Sequence, residues 1–158
     1  MSNNKILLIG ALFTLGVLAF LFWPKSGNKF NVVPEGKIEV VMYKNPDCGC
    51  CTEWAKHMNR AEFHVIEENT QALMAIKQSA GVPARFESCH TAMVGNYFVE
   101  GHVPVADVQR LLRENPDALG LTVPGMPIGS PGMEGPNPQH YDVYLVAKDG
   151  STSIYSSY

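Results

Sequence analysis

Residues 38–51 read IEVVMYKNPDCGCC, and the reading of this stretch decides the fold. Ile38, Val40 and Met42 alternate with Glu39, Val41 and Tyr43 in a β-rich run that Asn45-Pro46 ends. A helix is expected to begin between Gly49 and Cys51, because Trp54, Ala55, Met58 and Ala61 recur at spacings that form one apolar face. Three thiols in four residues therefore sit where a strand gives way to a helix.

Outward from this unit the chain keeps alternating. Residues 63–66 predict a second strand, and Asn69 or Thr70 is placed to cap a helix through Ala80. Leu73, Ile76 and Ala80 would face inward, with Gly81 just past the helix end. Residues 91–94 and 97–100 flank Gly95-Asn96, a two-residue hairpin signal. Pro104 suits a first helical position ahead of Val105, Val108, Leu111 and Leu112, and Asn115-Pro116 stops that helix. The order β-α-β-α-β-β-α predicts an α/β domain: a small mixed sheet with flanking helices on both faces.

The tail breaks the pattern. Nine of the fifteen residues from 124 to 138 are Pro or Gly, which excludes a helix or an interior strand. Beyond them, residues 141–147 and 151–155 flank Asp149-Gly150, a second hairpin. A long loop without regular structure is either functional or disordered. Met126 and Met133 stand in the near-repeats Pro-Gly-Met-Pro and Pro-Gly-Met-Glu, which favours function.

The whole chain has 158 residues, 46% hydrophobic and 17% charged, with net charge −3. That supports one domain and excludes a wholly disordered chain. The slightly acidic balance argues against nucleic acid as a partner. Residues 6–23 (ILLIGALFTLGVLAFLFW) carry no charge, and as a helix they would span about 27 Å, near the thickness of a bilayer core. They read as an uncleaved transmembrane anchor between a flank at 1–5 and a polar linker at 24–36. A cleaved secretory signal is the main competitor, and a buried core helix the remaining one. Lys5 opposes Lys25 and Lys29 across the segment, so charge hardly orients it. The short N-terminal flank favours export of the domain at 37–158, its C-terminal extension taken as 121–158.

Cys48 and Cys51 have the C-x-x-C spacing, which in a strand–turn–helix context reads as a thioredoxin-like redox site. Amides and the macrodipole at the helix start lower the pKa of thiols there. Cys50 is surplus to a dithiol exchanger. Crowded thiolates repel one another, and a soft cation such as Cu(I) or Zn neutralises them, bridging included. Cys89 lies in Ser88-Cys89-His90 just before a predicted strand, where it can close the site with His90 adding an imidazole. The other readings are thiol–disulfide chemistry, a structural disulfide, structural zinc and an iron–sulfur centre. Met126 and Met133 are candidate thioether ligands or lid residues, while Met42, Met58 and Met74 are expected in the core. His57 and His64 are expected at the surface, and His102 either orders the loop before Pro104 or joins the site.

Several phrases together resemble a known family. They are Asn-Pro-Asp-Cys-Gly-Cys-Cys with Trp54, Gly-Val-Pro (81–83), Ser-Cys-His-Thr-Ala (88–92), Val-Gly-x-Tyr (94–97), Glu-Gly-His-Val-Pro (100–104) and Gly-Met-Pro-x-Gly-Ser-Pro-Gly-Met-Glu (125–134). In this combination the chain resembles the CopG-like copper-resistance proteins from Ile38 to about Tyr155. The resemblance implies a thioredoxin-like fold, a periplasmic setting and a multinuclear copper cluster bridged by cysteine sulfurs. It also implies a redox role between Cu(I) and Cu(II) in copper resistance. Carried over by position, Cys48, Cys50, Cys51 and Cys89 are the implied ligands, His90 a weaker one, and Met126 and Met133 lie in the extension that contributes to the metal site. The expectation is an inner-membrane-anchored domain facing the periplasm, or a soluble periplasmic one after cleavage. Its partners would be copper and an efflux or electron-transfer protein. A copper chaperone or buffer without redox chemistry and a thiol–disulfide oxidoreductase are the alternatives.

Overall fold

The computed structural model describes residues 33–158. The anchor expected at 6–23 lies outside the described residues, among which no helix is long and apolar enough to cross a membrane. The elements in order are β1 (Ile38–Lys44), α1 (Gly49–Arg60), β2 (Phe63–Asn69), α2 (Leu73–Ala80), a 3₁₀ turn (Ala84–Phe86), β3 (His90–Val94), β4 (Tyr97–Glu100), α3 (Val105–Glu114), β5 (Ala118–Thr122), β6 (Asp142–Ala147) and β7 (Thr152–Ser157). The strands form one seven-stranded sheet in the order β2-β1-β3-β4-β5-β6-β7. β1 runs parallel to β2 and antiparallel to β3, and β5 is parallel to β4.

Helices cover both faces, as the alternation predicts. On one, Val40 and Met42 of β1 pack with Trp54, Ala55 and Met58 of α1 and Val108 and Leu111 of α3. Burying the Val, Leu and Met side chains among them contributes roughly 1.5–3 kcal/mol each. Trp54 also donates its indole N–H to the Val103 carbonyl at 2.9 Å, tying α1 to the segment before α3. The opposite face carries a smaller cluster of Val82, Phe98 and Val146, with Ala80 at the end of α2.

Four expectations need correction. The sheet is larger than predicted, because β5 is a strand and the C-terminal hairpin continues the sheet from it. Residues 118–122 (ALGLT) are short and centred on a glycine, so they carry little strand signal. The glycine is needed there: a Cβ at Gly120 would lie 2.1 Å from the Phe98 carbonyl oxygen. α2 starts at Leu73 rather than after Asn69, which ends β2, while Thr70 Oγ1 accepts the Ala72 N–H at 3.0 Å. Met74 is 54% exposed, and Lys77 takes the buried place on α2. Pro104 sits one residue earlier than expected, as the N-cap of α3.

Candidate metal centre

The turn after β1 is closed by Asn45, whose carbonyl oxygen accepts the Cys48 N–H and whose Oδ1 accepts the Asp47 N–H. This delivers Cys48 to the N-cap of α1, with no side-chain cap and no acidic residue in the first turn. The helix start is left electropositive towards its own sulfurs. Cys48 and Cys51 are joined as a disulfide with Cα atoms 5.4 Å apart, and Cys50 and Cys89 are free. Cys50 Sγ lies 3.6 Å from Cys48 Sγ, and Cys51 Sγ lies 3.8 Å from the Cys89 carbonyl oxygen. All four sulfurs fall within 4.8 Å of one another.

β1 and β3 are neighbours in the sheet, which is why the residue before β3 meets the helix that follows β1. Cys89 also joins a second group. One ring nitrogen each of His90 and His102 lies within 4.8 Å of its sulfur and of the other. His102 Nε2 is 2.9 Å and His90 Nδ1 3.4 Å from Cys89 Sγ. Cys89 thus belongs to both a thiol set and an imidazole set.

The electrostatics favour neutral, unsaturated donors. Burial, helped by nearby Cys50, pushes the metal-free Cys89 thiol up to about 12, so it holds its proton at neutral pH. A soft cation that takes the sulfur therefore releases that proton. Burial pushes His102 down, and burial with His102, Lys77 and Lys44 close by pushes His90 further down. His102 Nδ1 is 2.7 Å from the Pro131 carbonyl, which only accepts, so Nδ1 carries the hydrogen. Nε2 then presents its lone pair towards Cys89, the orientation that carbonyl-backed histidine ligands adopt. His90 Nε2 is buried with no hydrogen-bond partner among the described residues. Four sulfurs and two neutral imidazoles are a donor set suited to a soft ion such as Cu(I).

The Pro/Gly loop lies on the site. Gly132, at φ +84°, rests against the first turn of α1, where a Cβ would come within 2.7 Å of the Cys50 carbonyl oxygen and the Trp54 nitrogen. Pro131 meets His102, and Glu134 pairs with His57 at 2.7 Å. Met133 is half-buried, whereas Met126 is 52% exposed. The structure thus gathers Cys48, Cys50, Cys51, Cys89 and His90, seats Met133 in a loop that touches α1, and leaves Met126 in solvent. His102 is the residue that sequence reasoning left open. Its signal was the phrase Glu-Gly-His-Val-Pro, but only the fold shows it directed at Cys89.

Fold and site together define a mixed α/β domain with a cysteine cluster able to bind metal. Comparison with known proteins narrows this. A family described as "Protein of unknown function, DUF411" matches residues 86–133. Two solved structures described as copper resistance protein copG, forms 1 and 2, are each 39% identical at a TM-score of 0.74, covering 77% of this chain and 98% of theirs. No curated protein matches. The chain belongs to the CopG-like copper-resistance family.

Proposed function

We propose that the protein is a membrane-anchored, periplasm-facing copper protein that holds a cysteine-bridged, multinuclear copper site and interconverts Cu(I) and Cu(II). The observation that carries this reading is the convergence of four sulfurs on one another, with Cys89 backed by His102 Nε2 at 2.9 Å. Four cysteine sulfurs in so small a volume exceed what one dithiol exchange requires, and once reduced they could bridge more than one ion. The strand–helix–strand unit and the β3–β4–α3 unit on one sheet support a thioredoxin-like reading of the fold. The copper-resistance description of the solved relatives supports the choice of metal.

In this reading Cys48, Cys50, Cys51 and Cys89 hold the metal, with His102 and His90 as imidazole donors and Met133 the nearer of the two thioether candidates. Copper, when bound, would supply one-electron exchange between its two common oxidation states. The chain supplies the rest. An external two-electron donor such as a small thiol would first reduce the Cys48–Cys51 disulfide to two thiols, Cys89 would release its proton on taking a metal, and Pro131 keeps the His102 Nε2 lone pair turned inward. Gly132 lets the loop rest against the first turn of α1. X-ray absorption and electron paramagnetic resonance on the copper-loaded protein test the redox half. Reversible interconversion on adding oxidant and reductant is expected, and copper that stays in one state leaves a chaperone or buffer.

The Cys48–Cys51 disulfide at a helix N-terminus favours one second reading, a thiol–disulfide oxidoreductase. Reduction of a model disulfide by metal-free protein, lost in Cys48→Ser, would support it over the copper site.

A further inference from the structure

A buried polar network lies next to the sulfurs, and the site described above does not use it. Glu100, fully buried at the end of β4, accepts the Ser88 N–H at 2.6 Å and the Lys77 ammonium on Oε1, and the Thr91 hydroxyl at 2.6 Å on Oε2. Lys77 also donates to Thr91 Oγ1 at 3.1 Å, and both residues are buried. The four groups come from α2, β3, β4 and the segment before β3.

Stability alone does not call for this arrangement, because an apolar pair of similar volume often serves a core as well as a buried ion pair. Its placement is more informative. Ser88 precedes β3, so the Glu100 carboxylate receives an N–H that the sheet ladder leaves free. Ser88 is gripped from a second side as well, forming a bridge with Gly125 and donating its hydroxyl to the Gly125 carbonyl. Gly101 makes room for it, since a Cβ there would lie 2.4 Å from Ser88 Oγ. Cys89 is the next residue. Strand alternation sends Thr91 to the face opposite His90, so on β3 the brace and the site lie on opposite faces of the sheet.

We infer that Glu100, braced by Lys77 and Thr91, is a positioning residue that fixes the Ser88–Cys89 backbone and thereby sets the place of Cys89 Sγ against Cys50 and His102. The copper consequence rests on reading Cys89 as a copper ligand, whereas the position of its thiol is testable without metal.

The test uses the full-length chain in mild detergent, metal-free and reduced, with K77L/E100L beside K77M/E100Q. The first removes both charges together and deprives the Ser88 N–H of its acceptor. The second removes both charges and keeps an acceptor oxygen in place. Site-resolved alkylation by iodoacetamide is expected to change at Cys89 by about fivefold or more in K77L/E100L and to stay near the wild-type rate at Cys50. K77M/E100Q is expected to restore the Cys89 rate. Anaerobic Cu(I) affinity should fall about tenfold in the first variant and recover in the second. An unchanged Cys89 rate in folded K77L/E100L would overturn the inference, as would equal changes at Cys50 and Cys89 that follow the thermal midpoint. If K77L/E100L does not fold, Thr91→Val decides: a shift confined to Cys89 supports the brace and its absence contradicts it. Wild-type protein that takes up no Cu(I) would refute the copper reading while the alkylation comparison still judges the brace.

Discussion

At the scale of single residues, the informative atoms are two imidazoles and one sulfur. His102 is held in one tautomer by the Pro131 carbonyl, so its contribution is a directed lone pair as much as bulk. His102→Gln should lower Cu(I) affinity by about tenfold while leaving the metal-free fold in place, as competition against a chelator of known affinity would measure. Loss of copper binding together with the fold would instead make His102 a packing residue. Burial depresses both His90 and His102 below their ordinary value, so the unfolded chain takes up protons first as the pH falls. Their contribution to metal-free stability is therefore complete above about pH 6.5 and lost below it, at up to about 1.4 kcal/mol per pH unit for each imidazole. Urea midpoints from pH 7.5 to 5 check this, and His90→Phe should flatten the profile. That Cys89 comes near Cys48, Cys50 and Cys51 was legible in the sequence, because the residue before β3 lies at the sheet edge where β1 gives way to α1. The role of His102 was not, since an imidazole beside a glycine and a proline looks the same whether it orders a loop or faces a sulfur.

Among the elements, α1 and the loop that covers it decide whether the site closes. Gly132 has a positive φ and no room for a Cβ against the Cys50 carbonyl. Gly132→Ala should destabilise the loop by about 1–3 kcal/mol. Faster limited proteolysis within residues 124–138, with the core of the domain still protected, is the expected result. Uniform loss of protection would mean that the loop is integral to the core. β1 and α1 were legible from their apolar periodicity, and β4 from the Gly95-Asn96 turn that precedes it. β5 was not. Ala118 and Gly120 give a poor strand signal, and only the close approach to Phe98 explains the glycine. Lys77 was hidden for a similar reason: a lysine on an amphipathic helix is read as solvated until a buried Glu100 and Thr91 are found opposite it.

For the molecule as a whole, the C-terminal hairpin anchors the loop that rests on the candidate metal centre. The loop leaves the sheet after β5 and re-enters at β6, so both of its ends are fixed to the same sheet whose first strand leads into α1. We propose the compartment from the uncharged run at 6–23, which would place this sheet outside the inner membrane. Fractionation should find the full-length protein with membranes and accessible to protease from the periplasmic side, and soluble cytoplasmic protein would contradict that. The most direct measurement of the central claim is metal analysis of the full-length protein, reconstituted with Cu(I) without oxygen beside Cys50→Ser. More than one tightly held copper per chain, falling sharply in the variant, is the predicted result. No retained copper, or a stoichiometry that Cys50→Ser leaves unchanged, would contradict a cluster built on the third cysteine.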